Sequence, residues 1–139
     1  MSDLNPAADL ERRIEAVESG YEFMLAYAAQ GRETDRGAAA GRDVREYLEK
    51  VRAALDGLGA IVAECAAGVD PDLRGSASSF LAAVDSDARI AHGAVSLVLS
   101  RPDISSQLVD NLNGSIHLRA LLTDLFIVDE ALKPRKTQS

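Results

Sequence analysis

The 139-residue chain contains one cysteine, Cys65, which excludes an intramolecular disulfide and any multi-cysteine metal or redox centre, and fits a reducing compartment. Histidine is almost as scarce. His92 and His117 alone do not furnish a haem or zinc site of the usual kinds. Basic residues are in deficit: 15 Lys and Arg against 22 Asp and Glu leave a net charge of −7, a field that repels nucleic acid and anionic membrane surfaces. No uninterrupted apolar run approaches the roughly 20 residues needed to span a bilayer. The stretch from Met1 to Arg13 is acidic and polar, so a soluble cytoplasmic protein is expected. What is present, 47% hydrophobic and 27% charged residues, is the balance of a globular chain rather than a disordered, collagen-like or rod-like one. The length fits one domain that buries roughly two thirds of its unfolded surface.

Glycine and proline are few and act as punctuation. Asn5 before Pro6 reads as an N-cap with proline at the first helical position, and Asp70 before Pro71 repeats the arrangement. Gly31 and Gly68 stand where a left-handed residue closes a helix, and Pro134 follows the last apolar residue, Leu132. Between these marks apolar residues recur at steps of three and four: Leu10, Ile14, Val17, Tyr21, Met24 in the first segment and Val44, Leu48, Val51, Leu55, Leu58, Val62, Cys65 in the second. The third carries Ala77, Leu81, Val84, Ala88, Ala91, Val95, Val98, and the fourth Leu108, Leu112, Leu118, Leu122, Leu125, Leu132. Nothing alternates like a strand. The expectation is a single all-α domain over 1–139, an antiparallel up-down-up-down four-helix bundle with helices at about 6–30, 42–67, 71–100 and 104–132 and a frayed tail at 133–139.

Charge is spread unevenly over these segments. From Gly75 to Ser100 the only charged side chains are Asp85, Asp87 and Arg89, and the fourth segment carries the runs Ala120–Leu122 and Leu125–Val128. A helix in a monomeric bundle needs only part of its circumference apolar, and the excess must be covered. The third and fourth helices are therefore expected to form much of a homodimer interface, one patch serving both partners.

Chemical motifs are incomplete. Di-iron bundles place Glu and His three residues apart, but the residues three before His92 and His117 are Arg89 and Gly114. A histidine phosphotransfer site would need lysine and glycine following the histidine, and neither sequence context supplies the pair. Helical nucleotide pyrophosphatases answer one carboxylate pair at one-turn spacing with another; Glu46 and Glu49 have that spacing, but Asp85 and Asp87 are two apart and point away from each other. Glu46 and Glu49 read instead as a solvated face interleaved with Arg42, Arg45, Lys50 and Arg52. No metal, cofactor or catalytic residue is assigned.

One polar grouping remains. In an antiparallel hairpin turning near Pro102, residues whose numbers sum to about 204 lie side by side, which sets Asp87 opposite His117 and Arg89 opposite Ser115. Asp110, His117 and Asp124 repeat every seven residues with Asn113 beside them, so Asp87, Arg89, Asp110, Asn113, His117 and Asp124 are a candidate ligand-binding or interface cluster. Nearby carboxylates favour the imidazolium. The poor helix formers from Asn111 to Ser115 imply a kink, a close crossing at Gly114 or a bound partner. The loop from Gly31 to Gly41 reads as a flexible, solvated connection without a phosphate-binding fingerprint. Phe23, off the core stripe, joins Leu121, Ile127 and Val128 as a candidate contact surface. Lys133, Arg135 and Lys136 form a basic helix terminus.

The function expected from this inventory is that of a non-enzymatic interaction protein: a homodimeric accessory, adaptor or regulatory subunit that binds another protein through a helix face. The alternative is a small-molecule binder or enzyme with a polar pocket around His117, between the third and fourth helices.

Overall fold

A computed structural model describes residues 5–37 and 39–132 of the protein, with the side chains of 39–42 excepted. Among the described residues every regular element is an α-helix. There are seven: α1 (Pro6–Ala28), α2 (Ala39–Leu55), α3 (Leu58–Val69), α4 (Leu73–Ser76), α5 (Ser78–Leu99), α6 (Ser106–Asn113) and α7 (Ile116–Leu132). None is long and apolar enough to cross a membrane. The basic terminus at Lys133, Arg135 and Lys136 lies outside the described residues.

Local chemistry explains several boundaries. Asn5 caps α1, its Oδ1 accepting from the Ala8 amide at 2.8 Å, with Pro6 at the first helical position. Ser105 caps α6 in the same way, its hydroxyl accepting from the Leu108 amide at 3.0 Å. Seven helices replace the four expected. The second segment is interrupted at Gly57, which adopts φ 73°, a left-handed conformation that glycine takes without strain. The third breaks at Ala77 after the short α4, and the fourth at Gly114 and Ser115. Side-chain periodicity did not report the first break because Leu55, Leu58 and Val62 stay buried at helical spacing on both sides of it. Asn5 to Ala28, by contrast, runs unbroken, and Gly31 at φ 67° turns the chain after it.

One core cluster draws on α1, α2, α3, α5, α6, α7 and Ile104. α1 packs on α2, α3 and α6, while α5 packs on α2, α3 and α7. Two glycines set close approaches. A methyl group at Gly20 would collide with Val51 of α2, and one at Gly59 would collide with Asp85 of α5. Gly114 is different: a methyl there meets only carbonyls of its own helix, at 3.5 and 3.6 Å, so it ends α6 rather than admitting a neighbour.

The connection after α1 is more ordered than a solvated loop. Asp35, only 6% exposed, receives the Arg45 guanidinium at 2.5 Å and the Ile104 amide at 2.8 Å. Arg45 also donates to the carbonyls of Leu99, Arg101 and Pro102. The buried Tyr27 hydroxyl donates to the Ile104 carbonyl at 2.6 Å, Ser106 Oγ bridges the Tyr27 carbonyl and the Arg32 amide, and Arg36 pairs with Asp103 at 2.8 Å. Residues 31–37 are thereby fastened to the 99–106 connection, in which the carbonyls of Leu99, Arg101, Pro102 and Ile104 and the amides of Ile104 and Ser106 all have partners.

Candidate functional site

The seam between α5 and α7 holds the most unusual titratable group in the described chain. His117 opens α7 and is nearly half exposed; its Nδ1 lies 3.5 Å from Asp87 Oδ1 on α5. Two turns further along α7, Asp124 lies within hydrogen-bonding reach of the same Asp87 carboxyl. Asp87 thus stands between the two. Burial, the carboxyl shared with Asp87 and the Asp87 charge push the Asp124 pKa up to about 7. Its Oδ2 is buried and has no hydrogen-bond partner. Chemically the trio can hold a proton between two carboxyls at neutral pH and place an imidazole beside one of them.

The remaining members of the expected cluster go elsewhere. Arg89 is highly exposed and reaches back one turn to Asp85 at 2.9 Å, which takes it away from the His117 group. Asp110 is exposed on α6 and lines an open cleft of about 570 Å³ with Gly31, Arg32 and Ser106, a lining that includes neither His117, Asp87 nor Asp124. Asn113 is buried at the end of α6, and neither its Oδ1 nor its Nδ2 has a partner. An unpaired buried amide costs about 1–3 kcal/mol per group. Among the described residues no group of His, Cys, Asp and Glu side chains has a geometry that would hold a metal ion.

The expected contact surface divides likewise. Leu121 and Val128 are core residues, buried by the chain's own helices, and belong to the interior rather than to the expected contact surface. The run Ala120–Leu122 is not surplus, because α7 packs on α5 while also touching α1, α3 and α6, and so buries a wider arc than one neighbour would require. Phe23 is half-buried and stacks on Tyr47 with ring centroids 4.4 Å apart. Ile127 is exposed, as are its neighbour Phe126 and, at the start of the helix, Ile116.

The feature of sequence that best anticipates a surface is the charge-poor third segment. The outward face of α5 is formed by Ala83, Ser86, Ile90, Gly93 and Leu97, all exposed, with Ile90 at 42% and Leu97 at 66%. Nothing lies within 4 Å of a methyl group built on Gly93, so the face is smooth and open. Comparison with protein-family models, curated proteins and solved structures finds no match to this chain.

Proposed function

We propose that this protein is a non-enzymatic helical interaction protein, a homodimeric accessory or regulatory subunit that binds another protein through a helix face. In this reading the seven segments act as four antiparallel rods, α1, α2 with α3, α4 with α5, and α6 with α7. The observation that carries it is the uncharged outer face of α5, where Ile90 and Leu97 stand in water two turns apart around Gly93. Exposed residues at that spacing define a face that a second copy can pair with isologously, and small residues between them permit a close helix approach.

Light scattering across micromolar concentrations tests the assembly. The wild-type protein should have twice the chain mass, and Leu97→Asp should return it to the monomer with an unchanged circular dichroism spectrum. A monomeric wild type at every concentration would remove the dimer.

A second reading, a small-molecule site in the α5 and α7 seam, is favoured by the unpartnered Oδ2 of Asp124 beside Asp87 and His117. His117→Ala discriminates. Lost ligand binding at an undiminished melting temperature supports a site, whereas a loss of about 1 kcal/mol or more supports a structural contact.

A further inference from the structure

α1 packs against α6 near its C-terminal end but meets α7 only lightly, so the two helices leave a cleft along their shared seam. Near Asn5 and Leu132 it opens a space of about 640 Å³ over a floor of nearly buried core side chains, Leu10, Ile14, Cys65 and Val128, whose outer edges line it. Beyond Glu18 a second stretch of about 280 Å³ continues past Tyr21 and Leu122 to Phe126. From Ala7 to Glu22 the seam runs about 22 Å, four turns of helix. Both the floor and the length suit an apolar helix stripe.

The rim has one sign. Glu11, Glu15, Glu18 and Glu22 follow one another at steps of four, three and four, which puts them on a single face of α1, and Asp129 stands across from them on α7. None of the five makes an ion pair among the described residues. Arg119, at the Phe126 end, is the only cation lining either stretch among those residues. Burial raises the Glu18 carboxyl above its ordinary value, and Asp129, Glu22 and Glu15 raise it further. These charges repel one another, and a cationic occupant would relieve the repulsion.

We infer that the α1 and α7 groove is a docking site for a basic amphipathic helix of a partner protein, its apolar stripe on the floor and its Lys or Arg side chains along the glutamate rim. The inference rests on the interaction-protein reading and gives the partner its chemistry. The mode is helix-in-groove, with apolar anchors at three- and four-residue steps. A second copy of this acidic chain would bring like charges together at the rim. The segments flanking the described residues do not match either: residues 133–139 hold three cations and no large apolar side chain, and residues 1–4 hold Met1 and Leu4 with the acidic Asp3.

The test is fluorescence anisotropy with a labelled synthetic helix of about 15 residues, Leu at helical spacing flanked by Lys, in salt of about 0.15 M. Wild-type protein should bind it with a micromolar dissociation constant and ignore the same peptide with Glu in place of Lys. Glu11→Lys with Glu15→Lys should weaken binding by about tenfold or more, whereas Glu46→Lys with Glu49→Lys on α2, the same change in net charge, should not. Equal losses in the two variants, or no binding by the wild type, would overturn the inference. So would an affinity that climbs more than tenfold when Lys133, Arg135 and Lys136 become Gln, since residues 133–139 would then be the occupant. A change of solution mass in the Glu11 and Glu15 variant would identify a second copy instead. Because the dimer is read from α5 by mass, failure here with a Leu97-dependent dimer intact refutes the groove and not the broader reading.

Discussion

The carboxyls of Asp124 on α7 and Asp87 on α5 face each other across a helix seam, close enough to share one proton. The pair has a linkage consequence. In the folded chain Asp124 titrates near 7, above its ordinary value of 3.8, so the native state holds a proton that the unfolded chain has released. The contribution is therefore fully favourable below about pH 4 and is lost as pH rises towards 7. Replacing Asp124 with Asn removes the charge but keeps a donor for Asp87. Asp124→Asn should gain about 1–2 kcal/mol at pH 8, a fraction of the full displacement because the group is partly hydrated, and almost nothing at pH 4. Thermal denaturation at both pH values measures this, and parallel curves would contradict it.

Asp35 has the opposite sign. Burial pulls its carboxyl up, but hydrogen bonds from Arg45, the Ile104 amide and its own backbone outweigh that effect and hold it below the ordinary carboxylate value. Its stabilisation is present above about pH 4 and disappears as acid protonates it. Asp35→Asn should cost about 2–4 kcal/mol at pH 7, since it leaves Arg45 without its carboxylate partner in a half-buried position. Urea titration of the variant should show the loss shrinking below pH 3, and a neutral result at pH 7 would mean that the junction is not held by this pair.

Tyr27 meets the same junction from the other side, through the Ile104 carbonyl. Tyr27→Phe keeps the ring in the core and leaves that carbonyl unpaired, an expected loss of about 1–2 kcal/mol. Asp35 and Tyr27 grip the two backbone groups of one residue, so the effects of their variants should not add. A double-mutant cycle should return a coupling above about 0.5 kcal/mol. Strict additivity would show that the two bonds act independently.

These long-range ties also explain what was and was not legible in the sequence. Local signals carried far: the Asn5 and Pro6 start of α1, the buried stripe of Val84, Ala88, Ala91, Val95 and Val98 on α5, and the approach of Asp87 to His117 all follow from spacing along the chain. The order of residues 31–37 did not, because its partners lie some 70 positions away and carry no local mark. Arg89 was misplaced for a related reason. A register count brings backbones side by side, but a long side chain one turn from a carboxylate closes its own pair first. The glutamates of α1 look like an ordinary solvated face until α7 is found opposite them with Arg119, at one end, as the only cation lining the groove among the described residues.

Gly20 makes the last case, since nothing around it in the sequence separates it from any other glycine in a helix. By intrinsic preference Gly20→Ala should stabilise α1 by about 1 kcal/mol. In the folded chain, however, the added methyl would strike Val51 Cγ2, and Val51 is fully buried with a β-branched side chain that has little rotamer freedom. Steric overlap with a fully buried side chain costs about 2–3 kcal/mol, the upper part of the usual range, so the clash wins and the variant should lose about 1–2 kcal/mol net. Gly68→Ala is the control: it is also helical, a methyl there meets nothing within 4 Å, and it should gain stability. Melting temperatures that move together in the two variants would show that α1 and α2 can separate to admit the methyl, and that the Gly20 crossing does not fix their distance.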